Sequence, residues 1–135
     1  MADADRAQVA REMESRRRLL EASGNVIPRP PWLPEDQPPS AVDLIQFATW
    51  RAGNSGLDAA DLLAALTLLP AARTEVDQLE TALFLKARAR GISWSRISRA
   101  LGLRSPQAAQ QRYGRVAGRI GLDPAGPASG LRIWR

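Results

Sequence analysis

The chain has 135 residues, a formal net charge of +5, and neither cysteine nor histidine. That length fits one domain with appendages, and the composition excludes disulfides, a zinc finger and nucleophilic catalysis through a Ser–His or Cys–His pair. Hydrophobic residues make up 44% and aromatic residues only 5%, so a core has to be built mainly from Leu, Ile, Val and Ala. No apolar run approaches the roughly 20 residues of a membrane span, and the N-terminus lacks the apolar centre of a signal peptide. A soluble cytoplasmic protein is expected, with no membrane partner, no cofactor, no metal and no enzymatic activity.

Residues 4–22 read as a charged helix with Val9, Met13 and Leu20 as a thin apolar side. The run Arg16-Arg17-Arg18 lies among Asp3, Asp5, Glu12, Glu14 and Glu21. So narrow a stripe predicts a solvated helix, frayed or paired with another chain, rather than a buried one. Residues 24–39 form a linker, because Pro28, Pro30, Pro31, Pro34, Pro38 and Pro39 are incompatible with helix and central strand alike. Trp32 and Leu33 inside it either pack back on the domain, the favoured reading, or present a short extended motif to a partner.

From residue 40 the pattern is helical. Ser40 with Asp43 is a near capping box, and Val42, Ile45, Phe47, Ala48 and Trp50 give a wide apolar surface. Gly53-Asn54-Ser55-Gly56 breaks the pattern. Asp58 caps a second helix carrying Leu62, Leu63, Leu66 and Leu69, and Pro70 stops it. Thr74 with Asp77 is read as the cap of a third, whose apolar side is Val76, Leu79, Leu83 and Ala87, with Phe84 alongside and Gly91 as the C-terminal cap.

The next two helices carry the most information. Ser93 caps a helix with Trp94, Ile97 and Leu101 as its inner face. Gly102 suits a left-handed turn and Leu103 its apolar plug. Ser105 caps the following helix, with Pro106 at its first position. Ala109, Tyr113, Val116 and Ile120 line one side of that helix. Residues 121–135 read as a tail in which Ile133 and Trp134 are candidates for docking.

The division is therefore 1–39 (charged helix and linker), 40–73 (an acidic helical pair that packs on or dimerises the domain), 74–120 (a helix-turn-helix) and 121–135 (tail). The expected fold is all-α: a tri-helical helix-turn-helix domain with two preceding helices and an N-terminal helix joined by a Pro-rich linker.

Charge follows the same division. Residues 1–83 hold 8 basic and 13 acidic residues, a net −5, and residues 84–135 hold 11 and 1, a net +10. Such asymmetry points to a polyanionic partner for the basic part. All but Lys86 of the basic residues are Arg. With the abundance of Ala this resembles the bias of a GC-rich bacterial genome, which weakens any inference from Arg over Lys at one position.

With Tyr113 turned inward and 100° per residue, Gln107, Ala108, Gln111 and Arg115 lie on the opposite side of the last helix, with Gly114, Gly118 and Arg119 less directly placed. Gln bonds adenine through two atoms, Arg does the same with guanine, and an Ala methyl touches a thymine methyl. These four are the candidate base readers. Arg104, Ser105, Gln110, Arg112 and Arg119 flank them as candidate phosphate ligands, joined by Arg96 and Arg99 on the preceding helix. The helix N-terminus at Ser105 offers backbone N–H groups, and Lys86, Arg88 and Arg90 extend the positive rim.

Residues 74–120 resemble the tri-helical, Myb- and homeodomain-like helix-turn-helix of small actinobacterial DNA-binding proteins. The string that carries the likeness is Ser-Trp-x-x-Ile-x-x-Ala-Leu-Gly at 93–102, followed by Arg-Ser-x-x-Ala-x-x-x-Arg-Tyr at 104–113. The string is also similar to the C-terminal DNA-reading domain of sigma factors. The resemblance implies double-stranded DNA binding with residues 105–119 in the major groove, in a transcriptional regulator or a nucleoid-associated protein. One such unit reads few base pairs, so a homodimer or many weak sites is expected. The alternative is an adaptor of the transcription machinery, a partner of RNA polymerase or a sigma factor. It would use residues 1–73 and the Pro-rich segment.

Overall fold

A computed structural model describes residues 2–31, 33–54 and 58–122. The expectations placed on Trp32, on Ser55 and Gly56, and on Ile133 and Trp134 lie outside these residues. Six helices follow in order: α1 (Ala2–Ser23), α2 (Ala41–Gly53), α3 (Ala59–Thr67), α4 (Leu69–Ala89), α5 (Trp94–Ala100) and α6 (Pro106–Arg119). No strand occurs among the described residues, and the fold is all-α. The chain divides into two compact units, Met1–Glu75 and Val76–Arg135, with the boundary inside α4.

In the first unit α1 is a core helix, contrary to the solvated helix expected. Its buried stripe is Ser15, Leu19 and Ser23, whereas Val9 and Met13 are 53% and 66% exposed. The cause is size. Serine and alanine let helices approach closely, and the Ser23 hydroxyl bonds the Leu20 carbonyl of its own helix at 2.9 Å, so burying it leaves no polar group unsatisfied. Leu19, fully buried, enters a cluster of Ala41, Leu44 and Ala48 from α2, Ala64 and Ala65 from α3, and Leu68 and Ala72 beyond them.

Polar ties join the same helices. The Arg18 guanidinium donates to Asp61 and, at 3.1 Å, to Asp58. These carboxylates form the capping box that opens α3. Ser40 Oγ accepts from Asp43 N–H at 3.1 Å, as expected for α2. The next donors of that helix, Ala41 N–H and Val42 N–H, reach the Glu75 carboxylate at 2.7 and 3.2 Å, with Arg16 3.5 Å away. Arg17 pairs with Glu14 and Glu21 along α1. The basic run 16–18 is thus matched with acids inside its own unit.

Thr74 does not cap a helix. α3 ends at Thr67 with Leu68 as its C-cap, and Leu69 and Pro70, expected as its last leucine and its stop, open α4, Pro70 standing in the first turn where a missing N–H costs nothing. Thr74 Oγ1 instead donates to the Pro70 carbonyl at 3.1 Å. The leucines assigned to α3 also face the other way. Its Ala64 and Ala65, with Leu68 just past its end, fill the core, while Leu62, Leu63 and Leu66 are exposed.

The second unit is tri-helical, from the later part of α4, α5 and α6. Phe84, Ile97 and Ala109, one from each helix, form its buried centre, with Ala87, Ile92, Trp94, Leu103 and Tyr113 packed around them. Of the stripe expected on α4 only Ala87 joins; Val76, Leu79 and Leu83 are exposed, because Phe84 and the fully buried Thr81 set the inward side. Leu101 is likewise more exposed than expected, being the C-cap of α5. The turns follow the sequence reading. Gly91 and Gly102 have φ of 78° and 69°, which glycine adopts without strain. Each is followed by a residue whose N–H reaches back into the helix, Ile92 to Ala87 at 3.0 Å and Leu103 to Ser98 at 2.8 Å. That return carries Ile92 and Leu103 into the core.

Leu19→Ala should cost about 3 kcal/mol in urea unfolding, against less than about 0.5 kcal/mol for the exposed Met13→Ala; equal effects would return α1 to solvent. Asp58 supplies a pH test. The Asp61 backbone N–H, and then the Arg18 charge, hold its carboxyl below its ordinary value of 3.8. A carboxyl lowered by folding stabilises above that ordinary value, and the contribution is lost as pH falls through the folded one. Asp58→Asn keeps a capping side chain but has nothing to protonate. Its melting temperature should therefore fall less than the parent's between about pH 7 and about pH 3.

Candidate nucleic-acid interface

The second unit holds α6 by one side only. Ala109, Val116 and Ala117 are buried, and Tyr113 lies against Phe84 and Trp94 with ring centroids 5.5 and 6.0 Å away. Burial pushes the Tyr113 phenol above its ordinary range. Ser105 Oγ accepts from Ala108 N–H at 3.1 Å and Pro106 follows as the first helical residue, so the helix starts at a defined point.

Gln107, Gln111 and Arg115 are exposed. At four-residue spacing they form one line, with steps of about 6 Å along the axis. Ala108, the fourth candidate base reader, is half-buried on the shoulder of that line. Gln110, Arg96, Arg99 and Arg104 are exposed too. None of these Gln and Arg side chains makes a hydrogen bond or ion pair among the described residues.

Three of the expected phosphate ligands are otherwise engaged. Arg112 donates to Glu80 Oε1 of α4 through Nε at 3.1 Å and Nη2 at 2.6 Å. Arg119 Nη2 lies 3.5 Å from Asp77 Oδ1, and the Ser105 hydroxyl oxygen is taken up as the cap of α6. On the rim, Arg88 stacks 5.1 Å from the Trp94 ring centroid and donates to the Ile92 carbonyl at 2.9 Å. The pairing of Asp77, read as part of a cap with Thr74, and of Glu80 with arginines of α6 escaped sequence reasoning, because a contact across 32 or more positions leaves no local signal.

The electrostatic consequence is one-sided. No acidic residue occurs between residues 81 and 122, and the two acids at the start of the unit both face arginines of α6. The remaining cations therefore have no nearby counter-charge on α5, the turn or α6.

Gly114 and Gly118 lie on the outward side of α6 and help line an open hollow of about 600 Å³, with Arg112, Arg115, Val116 and Arg119 around it. A Cβ built on either glycine meets nothing within 4 Å. No internal contact therefore requires glycine there, although each weakens a helix by about 1 kcal/mol relative to alanine. Among the described residues no group of three or more Asp or Glu side chains is gathered as a metal site would need, and no helix is long and apolar enough to cross a membrane. No protein-family model, curated protein or solved structure matches the chain.

The variant Gly114→Ala/Gly118→Ala should be more stable than the parent by about 1–2 kcal/mol in urea unfolding. A loss of stability would mean that α6 packs on that side.

Proposed function

We propose that the chain is a non-enzymatic, sequence-reading protein of double-stranded DNA, a transcriptional regulator or nucleoid-associated protein of the cytoplasm. In this reading α6 lies in the major groove. Gln107, Gln111 and Arg115 address base edges, with Ala108 beside them for a thymine methyl. Arg96, Arg99, Arg104 and Gln110 meet the phosphates on either side, and the N-terminus of α6 adds its backbone N–H groups. Arg112 and Arg119, bound to Glu80 and Asp77, contribute mainly by holding α6 and by their share of the positive field.

One observation carries the reading: a helix firmly packed on one side presents an unpartnered line of Gln and Arg on the other, above two glycines with no internal purpose. Glycine at 114 and 118 lets the helix approach a groove wall closely. The stabilised Gly114→Ala/Gly118→Ala variant should accordingly bind DNA more weakly, a combination of effects that misfolding does not produce.

The direct test is selection from a random duplex pool at two salt concentrations, with the bound fraction sequenced. An enriched motif is expected. Gln111→Ala or Arg115→Ala should cost about 1–3 kcal/mol on that motif and relax base preference. Arg96→Ala or Arg99→Ala should weaken binding to all sequences and flatten the salt dependence by about one unit. Tight binding without a motif would leave the nucleoid role. Absence of binding at both salts would sink the proposal in favour of the adaptor.

A further inference from the structure

We infer that Asp77 is an internal competitor of DNA phosphate: it occupies Arg119 in the free protein and thereby weakens the binding of every duplex. This control rests on the DNA reading proposed above and acts on the same surface.

The two ion pairs between α6 and α4 differ in kind. Arg112 gives Glu80 two hydrogen bonds, at 3.1 and 2.6 Å, and its side chain is 39% exposed. Arg119 approaches Asp77 with one nitrogen, at 3.5 Å, and its side chain is 62% exposed. A two-pronged contact holds its arginine in place. A single long contact at the surface contributes little and exchanges readily.

Position gives Arg119 an alternative partner. It is the next member of the four-residue row Gln107, Gln111 and Arg115, and lies about 40° further round the helix than Arg115, since four residues turn a helix by about 400°. It therefore stands between the outward line and α4. It also shares with Arg115 the rim of the hollow beside Gly114 and Gly118. A groove wall brought close over these glycines carries its phosphates to that rim, where they meet a guanidinium that Asp77 already holds. Taking it up leaves the Asp77 carboxylate, with its side chain 22% exposed, without a counter-charge. That cost is subtracted from the phosphate contact. It falls on all sequences alike, because a phosphate carries no base information.

The test is a double-mutant cycle of Asp77→Asn and Arg119→Ala, read by fluorescence anisotropy on a labelled duplex of about 20 base pairs, two helical turns. Salt is varied between about 50 and about 200 mM, and each protein is first shown to keep the parent's helical circular dichroism. Asp77→Asn should bind about three- to tenfold more tightly than the parent, with a salt dependence steeper by up to about one unit. In the absence of Arg119 this gain should vanish, so that Arg119→Ala and Asp77→Asn/Arg119→Ala bind alike. Tightening that survives without Arg119 would be the field of a removed charge and would overturn the inference, as would an Asp77→Asn protein of parental affinity. In both cases the parent still binds, and the DNA reading stands. Failure of all four proteins to bind at any salt would overturn the DNA reading and the competitor with it.

Discussion

Three aromatic rings fix the C-terminal unit. Phe84 from α4, Trp94 from the first turn of α5 and Tyr113 from the middle of α6 meet with centroids 5.5 to 6.0 Å apart. In a chain with only seven aromatic residues, three are concentrated at one junction. Each tilted pair adds roughly 0.5–1.5 kcal/mol beyond its burial. The two Gly turns deliver Ile92 and Leu103 to the same place. The azimuth of α6 follows: with Tyr113 committed inward, the line 107–111–115 has to point away.

Charge is allotted with the same economy. Apart from Arg17, which pairs along α1, the arginines that touch acids lie where helices are held together: Arg16 and Arg18 at the openings of α2 and α3, and Arg112 and Arg119 between α6 and α4. The arginines of α5, of the turn and of the outward line of α6 have no such partner. Each pair is partly exposed and individually modest in stability. Their larger effect is on direction, since a two-pronged Arg112–Glu80 contact resists rotation of α6 about its own axis.

Much of this was legible in the residues. Ser40, Asp58, Ser93 and Ser105 cap the helices they announce, and Gly91 and Gly102 take the conformation their positions suggested, because caps and turns are local chemistry. The outward line of α6 was legible as well, since one large inward residue sets the whole helix. Burial elsewhere was not. Reading apolar side chains as inward failed for Leu62, Leu63 and Leu66 of α3 and for Val76, Leu79 and Leu83 on α4, and the thin apolar side of α1 gave no sign that Leu19 is fully buried. In the first unit serine and alanine occupy the close-packed positions, and hydrophobicity alone does not distinguish a residue chosen for smallness from one chosen for solubility. Thr74 misled for a related reason: its sequence matches a cap, but the helix had already begun at Leu69.

The contact between Glu75 and the first turn of α2 has a consequence for the order of events during synthesis. Ala41 and Val42 must wait for a carboxylate 33 to 34 positions later in the chain, so α2 emerges from the ribosome with its leading amides still hydrated. Arg18 waits longer still, for Asp61. Closing such loops has an entropic cost that local turns avoid. In the second unit every cap and return bond spans five residues or fewer, and only the Arg112 and Arg119 pairs with Glu80 and Asp77 reach across comparable distances. The opening of α2, though made early, is therefore completed only once the start of α4 has left the exit tunnel.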